Sequence, residues 1–279
     1  MLDSTRGLRG QSFGRPKLDP DEIAARRQAA ETIARDAGRL AQSYLLDRRT
    51  LKVASKGPQD VLTEADSAVE RMIVATLRSD YPGDAFIGEE GGGAAGERCW
   101  VIDPIDGTSN FARGLPHWCV SIALVVAGRT EVGVIFDPNA DLLYSAQRGA
   151  GARCNNTLIR VSGTTEVAGA TVDVGYSSRT GVEDFGTMVT ALLRSGVNVT
   201  QAGSAALGLA RVADGRLDGY AERHLFAWDV LAGLLLVEEA GGCVNEFLAG
   251  NSLTTGNETI AATPALYAMF AAMLMMRAA

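Results

Sequence analysis

Apolar residues recur along the first part of this chain at the spacing of helices. From about Ile23 to Leu46 they return every three to four positions, after an acidic stretch, Asp19-Pro20-Asp21-Glu22, that is typical of a helix start because acids favour the positive end of the helix dipole. The segment TEADSAVERMIVATLRSDY predicts a second helix. Its apolar stripe consists of Val69, Met72, Ile73 and Leu77.

Shorter apolar runs then predict strands. AFIGEE and CWVIDPID each end in acids, and VSIALVVAG and EVGVIFDP flank the turn residues Gly128-Arg129-Thr130, which predicts a hairpin. LLYSAQRGAGARCN predicts another hairpin. From about Ala168 strand and helix patterns alternate, through ATVDVGY, FGTMVTALLRSG, VNVTQAG, SAALGLARVADGR and LDGYAER to WDVLAGLLLVEEAGG. The last pattern is a helix closed by Gly241-Gly242.

These patterns predict a layered α+β fold with mixed sheets. The boundaries that we expect are a polar, mobile extension over residues 1–20 and one domain over residues 21–279. Its N-terminal α+β half would span about 21–165 and its C-terminal α/β half about 166–279. The Met-rich end of the chain predicts a helix that fills a core or a subunit contact.

Composition excludes several classes of protein. Of the 279 residues 47% are hydrophobic and 21% charged, which supports a substantial core, and the formal net charge is −7. An acidic chain is a poor binder of nucleic acid or anionic membranes. The cysteines are scattered, and no apolar run predicts a membrane span or signal peptide, so we expect a cytoplasmic protein.

Acidic residues gather at the ends of apolar elements in four separate segments. Pro104 cannot donate a ladder hydrogen bond, so sheet pairing is expected to stop there and to turn the neighbouring carboxylates toward one point. Carboxylates brought together repel one another unless a cation lies between them, and oxygen ligands favour magnesium or manganese over zinc. The four groups are Asp60/Glu64/Asp66, Glu89-Glu90, Asp103/Asp106 and Asp229.

A phosphate cradle would complete such a metal site. Gly107-Thr108-Ser109 offers backbone N–H groups and hydroxyls at a predicted helix start, where anions bind well. Carboxylates for a metal beside this cradle suggest metal-assisted phosphoryl hydrolysis. Taken alone, the stretch from Asp103 to Thr108 could be a structural turn and Glu89-Glu90 a solvated surface pair. His117 and His224 are expected to be structural, because no GxSxG motif accompanies them, and the GAG at 149–151 is a weak nucleotide-loop signal.

Five segments together resemble the inositol monophosphatase family of magnesium-dependent, lithium-sensitive phosphatases. They are DVLTEAD, FIGEEGG, WVIDPIDGTSNF, GSAALGLARVADGRLDGYAE and WDVLAGLLLVEEAGG, and the resemblance extends from about Ile23 to Leu274. It implies a five-layer αβαβα sandwich of the sugar-phosphatase type, usually assembled as a homodimer. It also implies two or three Mg²⁺ per active site, with Mn²⁺ possible in their place.

The resemblance assigns ligands and catalytic groups. Glu89, Asp103 and the Ile105 carbonyl would hold a first metal; Asp103, Asp106 and Asp229 a second; and a weaker third ion would lie near Glu89, with Glu90 in support. Gly107 and Thr108 would bind the phosphate. Thr108, Glu89 and Asp66 would form the relay that activates a metal-bound water. Thr63 would brace Asp66, although a purely structural helix cap explains it equally well.

The resemblance also assigns substrate contacts. Glu222 would bind sugar or inositol hydroxyls, and its alternative is a surface acid at a helix end. Lys56 is either the lysine of the family's mobile metal-binding hairpin or a solvated loop residue. The polyol-facing positions are Gly203, Ser204, Ala205, Glu222 and Asp229.

The expected activity is hydrolysis of a small phosphorylated polyol, with inositol 1-phosphate as the first candidate. Histidinol phosphate is the nearest rival. Fructose 1,6-bisphosphate and 3′-phosphoadenosine 5′-phosphate are further options within the same fold. A regulator that binds metal and a protein partner without catalysis is the alternative from another class, and the loss of a metal ligand would have favoured it.

Overall fold

The computed structural model describes residues 18–46, 51–57 and 60–274, without the side chains of 55–57, 60 and 274. The predicted extension therefore lies outside the described residues as far as residue 17, and so does the Lys56 side chain. The helices are α1 (Pro20–Leu45), α2 (Glu64–Asp80), α3 (Thr108–Arg113), α4 (Val182–Arg194), α5 (Ala205–Ala213), α6 (Ala227–Glu239), α7 (Ser252–Thr255) and α8 (Tyr267–Leu274).

Within these described ranges, three sheets contain the strands. A two-stranded ribbon consists of β1 (Val53–Gly57) and β2 (Asp60–Thr63). The eight-stranded sheet has the order β10-β9-β8-β7-β6-β5-β3-β4 and the five-stranded sheet the order β12-β11-β13-β15-β14. Their strands are β3 (Ala85–Gly88), β4 (Gly92–Gly93), β5 (Arg98–Asp106), β6 (Cys119–Val126), β7 (Arg129–Asp137), β8 (Leu142–Gln147), β9 (Ala152–Cys154), β10 (Thr157–Leu158), β11 (Thr171–Val174), β12 (Asn198–Thr200), β13 (Gly219–Leu225), β14 (Cys243–Val244) and β15 (Asn257–Ala262).

Helices and sheets stack in five layers, αβαβα. Helices α1 and α2 pack on one face of the eight-stranded sheet. Helices α5 and α6 fill the space between the two large sheets, and α4 and α8 cover the outer face of the five-stranded sheet. The predicted α+β layered fold is thereby confirmed. No helix in the described part of the chain has both the length and the apolarity needed to cross a membrane.

The predicted helices are present, with boundaries set by their caps. Helix α1 begins at Pro20, three positions earlier than the apolar pattern indicates. Asp19 caps it by accepting a hydrogen bond from the Glu22 N–H. Proline suits the first helical position, because it has no backbone N–H that would need an acceptor there. Helix α2 begins after Thr63, which caps it through the Ala65 N–H.

Strand β5 corrects one expectation. Pairing between β5 and β6 does not stop at Pro104; the register shifts between Asp103 and Asp106, and pairing resumes between Asp106 and Cys119. The irregularity behaves as a β-bulge, which re-aims side chains without ending a strand. Both aspartates therefore stay attached to a buried central strand.

The glycine turn at 149–151 is occupied by the protein itself. The Glu239 carboxylate, at the end of α6, accepts hydrogen bonds from the Gly149 N–H at 2.8 Å and the Gly151 N–H at 2.9 Å. These N–H groups hold a helix end in place, so the turn is structural and offers no nucleotide loop.

Helix α6 approaches the eight-stranded sheet closely at Gly133. A Cβ atom there would lie 2.6 Å from the Ala232 carbonyl oxygen. Gly133→Ala should therefore lower the free energy of unfolding by about 1–3 kcal/mol, measured by urea denaturation.

The matched control is Gly186→Ala in the interior of α4, where a Cβ atom would meet nothing within 4 Å. This substitution should raise the free energy of unfolding by about 0.5–1 kcal/mol, because alanine loses less backbone entropy in a helix. Equal effects of both substitutions would contradict the close approach of α6 to the sheet.

Candidate active site

Three carboxylates from two elements meet at one point. Asp103 and Asp106 lie at the end of β5, and Asp229 lies in the first turn of α6. One oxygen of each lies within 4.8 Å of the others. Their donor set is hard oxygen without imidazole or thiolate, which suits Mg²⁺ or Mn²⁺. The residues present thus fit the metal that the sequence predicts.

Backbone N–H groups orient these acids. Asp103 accepts from the Ile105 N–H at 3.0 Å, and Asp229 accepts from the Phe226 N–H at 2.7 Å. Because each bond uses part of one carboxylate, other lone pairs stay available to a cation.

Asp106 receives its hydrogen bonds from the start of α5. The Ser204 hydroxyl donates to it, as do the Ala205 N–H at 3.3 Å and the Ala206 N–H at 2.8 Å. The polar groups of Ser204 and Ala205, which the resemblance placed toward the polyol, are therefore engaged with a metal-ligand candidate. Both residues also line the cleft, together with Gly203.

Thr63, Asp66 and Thr108 form a buried chain of hydrogen bonds beside the acids. Thr63 donates to Asp66 Oδ2 through its N–H at 2.8 Å and its hydroxyl at 2.5 Å. Thr108 Oγ1 lies 3.2 Å from Asp66 Oδ1 and 3.0 Å from the Ile105 carbonyl oxygen. Thr63 therefore both caps α2 and holds Asp66, so the two readings of this residue are compatible.

The turn at Glu89-Glu90 is held by a residue that sequence reasoning missed. Glu70, on the buried face of α2, accepts from the Glu90 N–H at 2.8 Å and the Gly91 N–H at 2.6 Å. The signal was present in the sequence, because Glu70 is a charge placed within the apolar stripe of an amphipathic helix. Glu89 lines the cleft beside this turn.

A cleft of about 350 Å³ leads from the acids toward the five-stranded sheet. Glu222 lies in it on strand β13, is 6% exposed and accepts a hydrogen bond from the Tyr220 hydroxyl at 2.7 Å. The alternative reading as a surface acid at a helix end is therefore wrong. Asp173, Tyr176 and Tyr220 line the same cleft and were not singled out from the sequence.

Desolvation dominates the electrostatics of the acid cluster. It raises the pKa of Asp103 well above its ordinary value, and the nearby charges of Glu89 and Asp106 raise it further. The pKa of Asp229 is raised well above its ordinary value for the same reasons, desolvation first. Hydrogen bonds from Ser204 and α5 partly offset the burial that raises the pKa of Asp106. A divalent cation would remove this mutual repulsion.

Asp66 and Glu222 extend the acidic character in both directions. Burial raises the pKa of Asp66, while the two hydrogen bonds from Thr63 lower it. Burial raises the pKa of Glu222 to about 8. Among the described side chains that line the cleft there is no lysine, arginine or histidine to balance these acids. The cleft therefore attracts cations, and an anionic ester would be repelled from it unless a bound cation offset the charge of the acids.

Known proteins share this sequence and fold. The Nus factor SuhB of Pasteurella multocida is 41% identical over 237 residues, covering 83% of this chain and 88% of that protein. The Nus factor SuhB of Xylella fastidiosa is 44% identical over 217 residues, covering 77% and 79%.

Solved structures agree with the sequence relatives. The extragenic suppressor protein SuhB of Bartonella henselae superposes with a TM-score of 0.85 at 33% identity, covering 90% of this chain and 98% of that one. The inositol monophosphatase of Anabaena has a TM-score of 0.78 at 33% identity, with coverages of 92% and 97%. The model of the inositol monophosphatase family matches residues 22–275, and this chain belongs to that family.

Proposed function

We propose that this protein is a magnesium-dependent phosphomonoesterase whose first candidate substrate is inositol 1-phosphate. The observation that carries the proposal is the acid triad, Asp103, Asp106 and Asp229, whose last two members line the same cleft as the Gly107-Thr108 turn. A metal centre beside backbone donors for a phosphate suits hydrolysis of a phosphate ester.

The metal ligands follow from the resemblance and are compatible with the geometry. One Mg²⁺ would be held by Glu89, Asp103 and the Ile105 carbonyl. A second would be held by Asp103, Asp106 and Asp229, and a third would lie near Glu89. Mn²⁺ could take the place of Mg²⁺. When bound, such ions polarise phosphoryl oxygens and lower the pKa of water. Glu90 would support Glu89 through the turn that Glu70 holds.

The chain's own groups would receive the proton of the attacking water. Thr108 Oγ1 stands between the cleft and Asp66 Oδ1, at 3.2 Å from the carboxylate, so the hydroxyl can pass a proton to Asp66 while accepting one from water. Glu89 would take part from the metal side. Thr63 would keep Asp66 oriented through its two hydrogen bonds.

Phosphate binding would use the turn before α3. Gly107 has φ 95°, and a Cβ atom there would lie 2.7 Å from the His117 carbonyl oxygen, so only glycine fits this position without strain. Gly107 and Thr108 line the cleft, and their backbone N–H groups would hold the phosphate there.

The far end of the cleft supports a substrate rich in hydrogen-bond donors. Glu222 and Asp173 are buried acids that lie in it, and they would bind hydroxyl groups of a polyol. The same acids would also bind an ammonium group, which keeps histidinol phosphate as the second candidate. A bisphosphate would find no positive side chain among the described lining residues. A cytoplasmic homodimer is further proposed on the family resemblance alone.

The central test is phosphate release from a panel of esters. With Mg²⁺, inositol 1-phosphate should be hydrolysed fastest, histidinol phosphate more slowly, and fructose 1,6-bisphosphate and 3′-phosphoadenosine 5′-phosphate least. Asp103→Asn should lower kcat/KM by at least about a hundredfold, since it removes a ligand shared by two metals. Lithium should inhibit the Mg²⁺-dependent rate.

Glu238→Asn is the matched control, since this acid lies exposed near the end of α6 and outside the cleft. It should leave kcat/KM unchanged. Fastest turnover of histidinol phosphate would reassign the substrate and keep the mechanism. No turnover of any ester, including a generic one, with or without metal would overturn the proposal in favour of a regulator without catalysis.

The raised pKa of Glu222 should make the stability of the metal-free protein depend on pH. Its pKa is about 8 in the folded protein, against an ordinary value of 4.5, so between these values the folded state holds a proton that the unfolded state releases. Stability should therefore fall as pH rises through this window.

The measurement is the thermal midpoint of EDTA-treated protein between about pH 5 and pH 9. Glu222→Gln should flatten the fall, because the amide cannot ionise. Glu166→Gln, which removes an exposed carboxyl, should leave the slope as it is. A slope that Glu222→Gln does not change would contradict a protonated Glu222 in the folded state.

A further inference from the structure

Asn110, on α3, hydrogen-bonds to two other segments, one at His117 and one at Ala202, close to the Gly107-Thr108 turn. Its Nδ2 donates to the His117 carbonyl oxygen at 2.8 Å and to the Ala202 carbonyl oxygen at 2.8 Å, and it lies 3.3 Å from the Gly203 carbonyl oxygen. Gly203 has φ 76°, and a Cβ atom there would lie 3.2 Å from the Asn110 amide nitrogen. The loop between β12 and α5, residues 201–204, therefore fits closely against Asn110.

Asp173, on β11 of the five-stranded sheet, holds the same loop from the opposite side. Its Oδ1 accepts from the Ala202 N–H at 3.0 Å and from the Thr200 hydroxyl at 3.0 Å. Asp173 is 2% exposed, so these hydrogen bonds are shielded from water. Ala202 is thus bound through its carbonyl by one half of the fold and through its N–H by the other.

The loop so held leads directly into the start of α5. Two residues after Ala202, the Ser204 hydroxyl and then the N–H groups of Ala205 and Ala206 bind Asp106. Any shift of Ala202 would be carried to these donors, because Gly203 is the single residue between them. The orientation of the Asp106 carboxylate therefore depends on where the loop is fixed.

We propose that Asn110 and Asp173 are positioning residues that clamp Ala202 and thereby set the direction in which Asp106 presents its carboxylate to the metal. Groups that orient a metal ligand without touching the metal typically change affinity or activity by about 10- to 100-fold when removed. The inference is tested first by metal binding, which does not require the proposed function. Its second test, by kinetics, rests on the proposed function.

The main readout is Mn²⁺ binding to metal-stripped protein, followed by electron paramagnetic resonance. Asp106→Asn identifies the equivalent of Mn²⁺ that depends on Asp106. Asn110→Ala and Asp173→Ala should each weaken that equivalent by about tenfold. Asp173→Asn should restore binding to within about twofold of the unsubstituted protein, since an amide oxygen still accepts from Ala202 and Thr200.

The matched control is Asn245→Ala. Asn245 also bridges two backbone groups, donating to the Glu258 carbonyl oxygen at 2.8 Å and accepting from the Ile260 N–H at 2.8 Å, but it follows β14 and faces β15, outside the cleft. Its loss should lower the thermal midpoint as much as Asn110→Ala does and leave Mn²⁺ affinity unchanged. If Asn110→Ala does not fold, Asn110→Ser replaces it and should weaken binding in the same direction.

The second readout is the Mg²⁺ dependence of ester hydrolysis. Asn110→Ala and Asp173→Ala should raise the Mg²⁺ concentration for half-maximal rate about tenfold. Asn110→Ala should change KM for the ester by less, because Asn110 does not line the cleft. Mn²⁺ affinity in both variants equal to that of Asn245→Ala would overturn the clamp. Weakened Mn²⁺ binding in a protein that hydrolyses no ester would support the clamp and overturn the proposed function instead.

Discussion

Mutual repulsion among closely spaced carboxylates is the constraint on which this structure depends. Asp103, Asp106 and Asp229 place oxygens within 4.8 Å of one another at the edge of a sheet, where desolvation disfavours their charged forms. A fold tolerates such an arrangement only if rigid surroundings keep the acids from turning away. The hydrogen bonds around the cluster are therefore part of the site as much as the acids are.

Those surroundings come from both large sheets and from the helix layer between them. The eight-stranded sheet supplies β5 and its bulge, and the central layer supplies the starts of α5 and α6. The five-stranded sheet supplies the far wall of the cleft, including Glu222. The site is thus where the layers meet.

Sequence patterns were sufficient for the acids and for most of the helices and strands, but they did not predict β14 and β15. The alternation of apolar runs predicted α2, the β6–β7 hairpin and the helix–strand order after residue 168, since these features arise from neighbours along the chain. The motif around Asp103 and Asp106 was recognisable for the same reason. Pro104 misled the prediction of where pairing stops, because a bulge absorbs the missing donor locally.

The supporting residues were harder to predict, because their partners are distant in sequence. Ala202 is 92 residues from Asn110 and 29 residues from Asp173, so only the folded chain brings the three together. A local pattern cannot report such a meeting. Glu70 is the exception, since a charge on an apolar helix face requires a buried partner whatever the fold.

Helix α6 carries Asp229 in its first turn and Glu239 at its last residue, about 15 Å apart along the axis. The first end lies among the metal-ligand candidates and the second is fastened to the turn at Gly149 and Gly151. Gly133 packs against its middle at Ala232, so the helix is held in contact with the rest of the fold at both ends and at its centre. Because one helix joins the two ends, a displacement of the turn at Gly149 and Gly151 along the axis would also displace the Asp229 carboxylate relative to Asp103 and Asp106.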